Sequence, residues 1–500
     1  MRLNVTDRAP WDIETDVLAI TVPAATETPA YLRDLDRRLE GALSAMREVG
    51  AIRGSRWETR LVAARGIGAR FVLAIGIGDI DDIDELIARR LGSLAIRGLV
   101  GLEVRRLAFH LPSVPSASGG RLGSIVELVA RGIVEGTADP AEIYRDAPDK
   151  LPPRPESVTI AVESGDLVSL ERAAERGRII GEGGNHTRWL AQRAANDVSP
   201  EVLADEASDL AREHDLQLTV LGPDEAAEMG MGMFVAVGRG SANPPRFIVL
   251  RSKPAAARDA HGRLLALVGK GVTFDTGGIS LKPPPNMGEM KTDKTGACTV
   301  IHAIATVAQL APELPLLAVA PAVENMPGPY STRPGDVVRA LNGKTVEITN
   351  TDAEGRLILG DALTWAERQG ATHLVDVATL TGAMSRALGR YVTGGFGDDD
   401  EWWQEVAAAA ARQGEPLWRM PIIPELRKDI DSPFADMANT GPAEGGAITA
   451  ALFLQEFVTV PWVHLDIAGT AFLEKVDAFS TKGATGVMHA TLVELALAQA

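Results

Sequence analysis

Strand-like and helix-like patterns alternate along most of this chain. In the first third, Asp16–Val22, Arg70–Ile77, Leu107–Leu111 and Val158–Val162 are short aliphatic runs, as expected of strands covered on both faces. Tyr31–Glu48 and Ile83–Ile96 instead carry apolar residues at the three-and-four spacing of an amphipathic helix. The alternation predicts a smaller N-terminal α/β domain over residues 1–165 with a largely parallel sheet, read as a scaffold or assembly domain because it carries no cluster of ligand or nucleophile residues. Asp146–Pro155, mostly prolines and charges, predicts a surface crossing before the last strand of that domain.

A charged helical run over Leu167–Ile180 is expected to link into a larger domain, residues 166–500. Trp189–Ala195 and Ser199–His214 continue as helices, the second opened by Ser199-Pro200-Glu201, a cap with proline at the first helical position. From residue 215 the alternation becomes regular. Gln217–Leu221, Arg246–Leu250, Leu264–Val268, Leu316–Ala320, His373–Val377 and Trp462–Ile467 read as buried strands, with helices such as Thr299–Ala311 and Leu357–Gln369 between them. This predicts a doubly wound, mostly parallel sheet flanked by helices, a fold that binds ligands beyond the carboxyl ends of its strands. Polar stretches follow Val268, Ala320 and Val377, where such ligands would sit.

Composition narrows the class. Five hundred residues exceed what one core usually holds, and 45% hydrophobic with 23% charged residues describes an ordinary globular protein. A net charge of −17 argues against nucleic acid and anionic membranes as main partners. The single cysteine, Cys298, leaves no intrachain disulfide or cysteine zinc cage, fits a reducing compartment, and is expected as a small core residue. The start has no apolar signal region and no run reaches a membrane-spanning length, so a cytoplasmic protein is expected.

The chemistry centres on Asn350-Thr351-Asp352-Ala353-Glu354-Gly355-Arg356-Leu357. In an extended or turning segment, Asp352, Glu354 and Arg356 face one side. Alone, this pattern also describes a solvated acidic turn. Upstream, Val268–Lys282 leaves a predicted strand with Lys270, Asp275 and Lys282 among glycines, and Met290–Ala297 adds Asp293. Gly269-Lys270 does not open a phosphate loop, because Gly271 follows where that motif needs serine or threonine. Asp275, Asp293, Asp352 and Glu354 together supply four carboxylates, with no histidine or cysteine in these stretches. Oxygen-rich sets of this kind suit Mn²⁺, Mg²⁺ or Zn²⁺. Two dications balance the four negative charges where one would not, and paired metals clamp a bridging hydroxide and the oxygen it attacks.

These stretches resemble the leucyl aminopeptidase family of dinuclear metallopeptidases. The resemblance also covers Asp376–Ala383, Ala435–Asn439 and Trp462–Ala471, hence the whole second domain; the first matches only in outline. It implies two divalent metals, Mn²⁺ or Zn²⁺, with Asp275 and Glu354 touching both, Lys270 and Asp293 completing one, and Asp352 the other. Lys282 would polarise the scissile carbonyl, and Arg356 would hold a bicarbonate acting as general base. Met290, Asn350, Thr379, Leu380, Gly382 and Ala468 would bind substrate, Leu380 through its backbone. The implied enzyme is a cytosolic aminopeptidase, assembled as a homohexamer, that releases N-terminal residues, preferably apolar ones such as leucine, from peptides with a free amine. A ligating lysine must be neutral, and lowering its pKa from about 10.4 to about 7 costs roughly 4–5 kcal/mol, which adjacent dications can supply.

Other residues take plainer readings. The pocket residues Met290, Thr379, Gly382 and Ala468 also fit ordinary packing. His464 reads as a satisfied core histidine, and Asp436 and Asn439 as formers of loop hydrogen bonds. Lys294 stands where the resembling family more often has an apolar residue, and Met488-His489 departs from its usual continuation. The rival from another class is a non-catalytic hexamer, structural or DNA-associated; the intact reactive set and the acidic total argue against it.

Overall fold

The computed structural model describes residues 1–24, 28–112, 121–146, 150–253 and 257–499. They form two compact units. The first comprises Met1–Asn185 with Arg412–Gly414 and Lys475–Lys482, and the second takes the rest. Residues 147–149 of the expected surface crossing lie outside the described set.

The first unit holds β1 (Arg2–Thr6), β2 (Thr15–Pro23), β3 (Thr59–Ala63), β4 (Ala69–Gly78), β5 (Arg106–His110) and β6 (Ser157–Ala161) in the order β1-β6-β5-β2-β4-β3. All neighbours run parallel except the β3–β4 pair. β2 is buried almost throughout, as its aliphatic run demands. The helix expected over 31–48 is two helices, Ala30–Arg38 and Ala42–Glu48, because Glu40 (φ 54°) and Gly41 (φ 82°) turn left-handed between them. Helices Glu85–Arg97 and Arg121–Gly136 pack backbone to backbone. A Cβ at Gly132 would lie 1.9 Å from Arg89 O, and one at Gly92 2.1 Å from Val129 O, so no side chain fits at either crossing.

Leu167–Gln192 is one 26-residue helix rather than the two expected. Its glycines lie inside it: a Cβ at Gly177 would lie 2.1 Å from Glu127 O, so tertiary packing overrides a weak local helix preference.

The second unit holds β7 (Gln217–Leu221), β8 (Arg246–Arg251), β9 (Leu265–Gly269), β10 (Gly271–Asp275), β11 (Leu316–Asn325), β12 (Asp336–Arg339), β13 (Thr345–Ile348), β14 (His373–Ala378), β15 (Thr393–Gly397), β16 (Leu417–Arg419), β17 (Met437–Ala438) and β18 (Trp462–Asp466). The main sheet runs β16-β15-β18-β14-β9-β11-β8-β7, with β10 beside β11. Its centre is parallel; β15 against β18, and β8 against both β11 and β7, are antiparallel. A small sheet, β12-β13-β17, stands apart. Cys298 is fully buried in helix Thr295–Leu310, which begins one turn earlier than its apolar run indicates. Among the described residues, no helix is long and apolar enough to cross a membrane.

Candidate active site

Lys270 lies between two strands. Its amide donates to Val377 O (3.0 Å) and its carbonyl accepts from Ala297 N (2.8 Å), so the chain is pinned where β9 meets β14 and the helix Thr295–Leu310. β10 then ends at Asp275, and the 3₁₀ segment Met287–Lys294 carries Met290 and Asp293. Thr379 and Leu380 follow β14, and Ala468 follows β18. All these positions lie at carboxyl ends of the sheet, as the doubly wound pattern requires.

The Asn350–Leu357 stretch is a turn closed by its own and neighbouring polar groups. Asn350 Oδ1 accepts from Asp352 N (2.9 Å), and Thr351 Oγ1 donates to Gly277 O (2.6 Å) and accepts from Ser280 N (2.8 Å). Asn439 Oδ1 accepts from Thr349 N (2.9 Å), while its Nδ2 donates to Asn350 O (2.7 Å). Asp436 Oδ2 accepts from Thr345 N (2.7 Å), so both residues fix loops. The stretch is not extended beyond Glu354. Glu354 (φ −78°, ψ −35°) is already helical in backbone and caps Gly355–Arg368, so Arg356 sits inside a helix rather than on the face of a strand. Gly355 is required there, since a Cβ would lie 2.6 Å from Lys270 Cε.

Carboxylates and ammoniums interleave at the bottom of this cleft. Lys270 Nζ lies 2.8 Å from Asp293 Oδ2 and 2.8 Å from Glu354 Oε1, and donates to Thr379 O at 3.1 Å. Lys282 Nζ lies 2.8 Å from Asp275 Oδ2 and 2.6 Å from Asp352 Oδ1. Asn325 Nδ2 donates to Asp275 Oδ1 (2.8 Å), and Thr379 Oγ1 to Asp293 Oδ1 (2.6 Å). Oxygens of Asp275, Asp293 and Glu354 all come within 4.8 Å of one another, and all three residues are buried. Arg356 is buried too. Its Nη1 donates to Asn439 O (2.9 Å), while its Nε and Glu354 Oε2 have no partner among the described residues.

The electrostatics follow from crowding. Burial, then the charge of Asp275, pushes Glu354 up to about 8 against the pull of Lys270. Asp293 and Asp352 are raised by burial and by Asp275 as well. Burial works against the charge on Lys270, but Asp293, Glu354 and Asp275 outweigh it and hold the proton on; Lys282 is held protonated in the same way, chiefly by Asp275. Burial lowers Arg356 to about 10, which leaves it charged at neutral pH. The cluster holds more negative charge than its ammoniums neutralise, the condition under which dications bind.

A cleft of about 610 Å³ gathers every candidate: Lys270, Asp275, Lys282, Asp293, Asp352, Glu354 and Arg356, with Met290, Asn350, Thr379, Leu380, Gly382 and Ala468. Sequence reading did not single out Arg386, Glu289, Thr440 or Phe472, which also line it. Arg386 had a findable signal, one helical turn beyond Gly382. Nor did it single out Asp466, whose Oδ1 accepts from Leu380 N (3.2 Å), Thr381 N (3.4 Å) and Ala468 N (3.1 Å), and whose Oδ2 accepts from Thr381 Oγ1 (2.6 Å). One buried carboxylate thereby ties together the loops that follow β14 and β18. His464 is a paired core histidine, with Nδ1 2.6 Å from Asp376 Oδ1. Lys294, fully buried, donates to Lys291 O (2.6 Å) and Arg193 O (2.9 Å), and burial lowers it to about 8.

Comparison with known proteins places this cleft. Residues 185–493 match the model of the cytosol aminopeptidase family catalytic domain, and residues 17–140 that of its N-terminal domain. The chain belongs to the cytosol aminopeptidase family. It is 45% identical to a probable cytosol aminopeptidase of Solibacter usitatus, over 90% of this chain and 91% of that protein. A second probable cytosol aminopeptidase, from Syntrophotalea carbinolica, is 40% identical over 97% of both chains. Among solved structures, a tomato leucine aminopeptidase mutant superposes with a TM-score of 0.90 at 34% identity, covering all of this chain and 96% of the other. The bottromycin maturation enzyme BotP, solved in complex with Mn, gives 0.83 at 33% identity over 97% and 99%. The protein is therefore a metal-dependent aminopeptidase, a hydrolase of the exopeptidase class. The acids of the cleft fit hard divalent ions: Asp275, Asp293 and Glu354 are close enough to share one, and Glu354 Oε2 has no partner among the described residues.

Proposed function

We propose that this enzyme removes N-terminal residues from peptides at a dinuclear centre, preferring apolar side chains such as leucine. The observation that carries the reading is the buried triad Asp275, Asp293 and Glu354 interleaved with Lys270 and Lys282 in one cleft. Asp275 and Glu354 would reach both ions, Mn²⁺ or Zn²⁺, with Lys270 and Asp293 completing one set and Asp352 the other. Two dications held there would supply Lewis-acid polarisation of the scissile carbonyl and acidify the attacking water.

The chain's own groups do the rest. Lys270 must give up the proton that Asp293 and Glu354 favour, so metal loading releases protons. Lys282 keeps its proton and stabilises the developing oxyanion. The planar guanidinium of Arg356, with Nε unpaired beside the carboxylates, suits bidentate capture of bicarbonate as the general base. Asn350 and the Thr379–Leu380 segment flank the scissile bond, Leu380 through its backbone. Met290, Gly382 and Ala468 shape the side-chain pocket with Thr379, and its apolar walls favour leucine. The smaller N-terminal domain acts as a scaffold for a cytoplasmic homohexamer.

Purified protein with Mn²⁺ or Zn²⁺ is expected to hydrolyse a leucyl anilide and to lose that activity on chelation. Glu354→Ala should lower metal content and cut turnover by about a thousandfold or more, as for loss of a group that acts in the transition state. No turnover with any divalent ion would sink the reading; unchanged metal content and activity in Glu354→Ala would remove the bridging role.

A further inference from the structure

Four basic side chains line the cleft among the described residues, and three of them are committed. Lys270 and Lys282 sit between carboxylates, and Arg356 donates to Asn439 O. The fourth, Arg386, is exposed and makes no ion pair or hydrogen bond within the described residues.

Its position is set firmly. Arg386 lies on the short helix Gly382–Leu388, capped by Thr381, whose Oγ1 accepts from Met384 N (3.2 Å) and donates to Asp466. Long helical side chains lean back over the residue four positions earlier, here Gly382. A Cβ at Gly382 would lie 3.4 Å from Arg386 Nη1, so the guanidinium rests over the glycine on the cleft side. The cleft it lines also holds Ala383, Ala443, Ala468 and Phe472, with Ser385 and Thr440 as neutral polar groups. A guanidinium with no anion against it among the described residues can take one from a peptide, a carboxylate, which the planar fork binds with two donors.

We propose that Arg386 is a specificity-determining residue that recognises a substrate carboxylate, either the C-terminus of a short peptide or an acidic side chain. The proposal rests on the aminopeptidase reading and extends it to substrate class. The scissile bond stays with Lys270, Lys282 and the carboxylates, while Arg386 selects which peptides remain in the cleft long enough to react.

Two substrate pairs test this on the Mn²⁺-loaded full-length enzyme. Leucyl-glycine against leucyl-glycinamide reads a C-terminal carboxylate; glutamyl anilide against glutaminyl anilide reads a side-chain one. For at least one pair, the acid-to-amide ratio of kcat/KM should fall by about 3–10-fold in Arg386→Gln, the range of a partly solvated charged hydrogen bond, and be largely kept in Arg386→Lys. A fall in the first pair assigns the C-terminus, and a fall in the second the side chain. Ratios equal in wild type and Arg386→Gln for both pairs overturn the proposal. Wild-type enzyme that turns over none of the four substrates, nor the leucyl anilide, overturns the aminopeptidase reading and this proposal with it.

Discussion

In the first unit β2 lies between parallel β4 and β5, and in the second β9 lies between parallel β14 and β11. Each sheet thus presents three adjacent carboxyl ends on one edge, the place where doubly wound folds bind ligands. In the first unit those ends are Pro23, Gly78 and His110, and His110 is buried against the Tyr31 ring at 4.7 Å, pushed down to about 4 by burial. In the second, Lys270, Asn325 and Thr379 lie there, joined by Asp275, Asp293 and Glu354 from neighbouring loops. A shared architecture provides a place and no chemistry. The second unit becomes a site because its loops bring complementary charges and enough hydrogen bonds to hold them apart from water.

That contrast breaks or holds at particular residues. Among substitutions outside the reactive groups, the largest effect is expected at Gly355. A methyl group there meets Lys270 Cε at 2.6 Å and displaces a side chain held by three partners. Gly355→Ala should lower kcat/KM for leucyl anilide by at least about a hundredfold with little loss of folding stability, since a misplacement near 1 Å has that effect. Activity within a factor of two of wild type would show that Lys270 need not stand there. The matching change in the first unit, Gly132→Ala, meets backbone at 1.9 Å and should destabilise the protein by about 2–3 kcal/mol in urea unfolding while leaving kcat alone.

Next comes acid sensitivity. The His110 ring takes a proton at about 6.5 when unfolded and at about 4 when folded, so the unfolded state binds more protons between those values. Stability is therefore lost as pH falls through that window, by about 2 kcal/mol at pH 5. His110→Phe should flatten the urea midpoint between pH 7 and pH 5 without touching turnover at neutral pH; an unchanged slope would place the acid sensitivity elsewhere. The smallest effect is expected from Asp466→Asn, which keeps one acceptor oxygen for the loops carrying Leu380 and Ala468. KM for a peptide should rise roughly 3–10-fold with kcat nearly constant if the loops bind substrate without reacting, as proposed. An equal fall in kcat would mean that the carboxylate supports the metals as well.

Much of this was legible along the chain. Aliphatic runs at Asp16–Val22 and His373–Val377 gave both sheets, because a buried strand advertises itself residue by residue. The motif stretches contained Asp275, Asp293, Asp352 and Glu354, which the structure gathers in one cleft, because residue type and order carry across a family. Other features were not local. Helix Leu167–Gln192 runs unbroken through its glycines because a neighbouring backbone needs the space, which no window of sequence reports.

The sequence by itself determined the central strands of both sheets, the acidic excess and the charged residues of the motif stretches, since each depends on residue chemistry and period alone. The tertiary structure alone decided that Arg356 rides on a helix, that Lys270 holds its proton between Asp293 and Glu354, that Asp466 joins the loops after β14 and β18, and that Arg386 stands over Gly382 with no ion pair among the described residues. Those outcomes depend on distances and burial among residues far apart in the chain. Electrostatic and hydrogen-bond energies in a dry cleft are set by that geometry, and the order of the residues does not contain it.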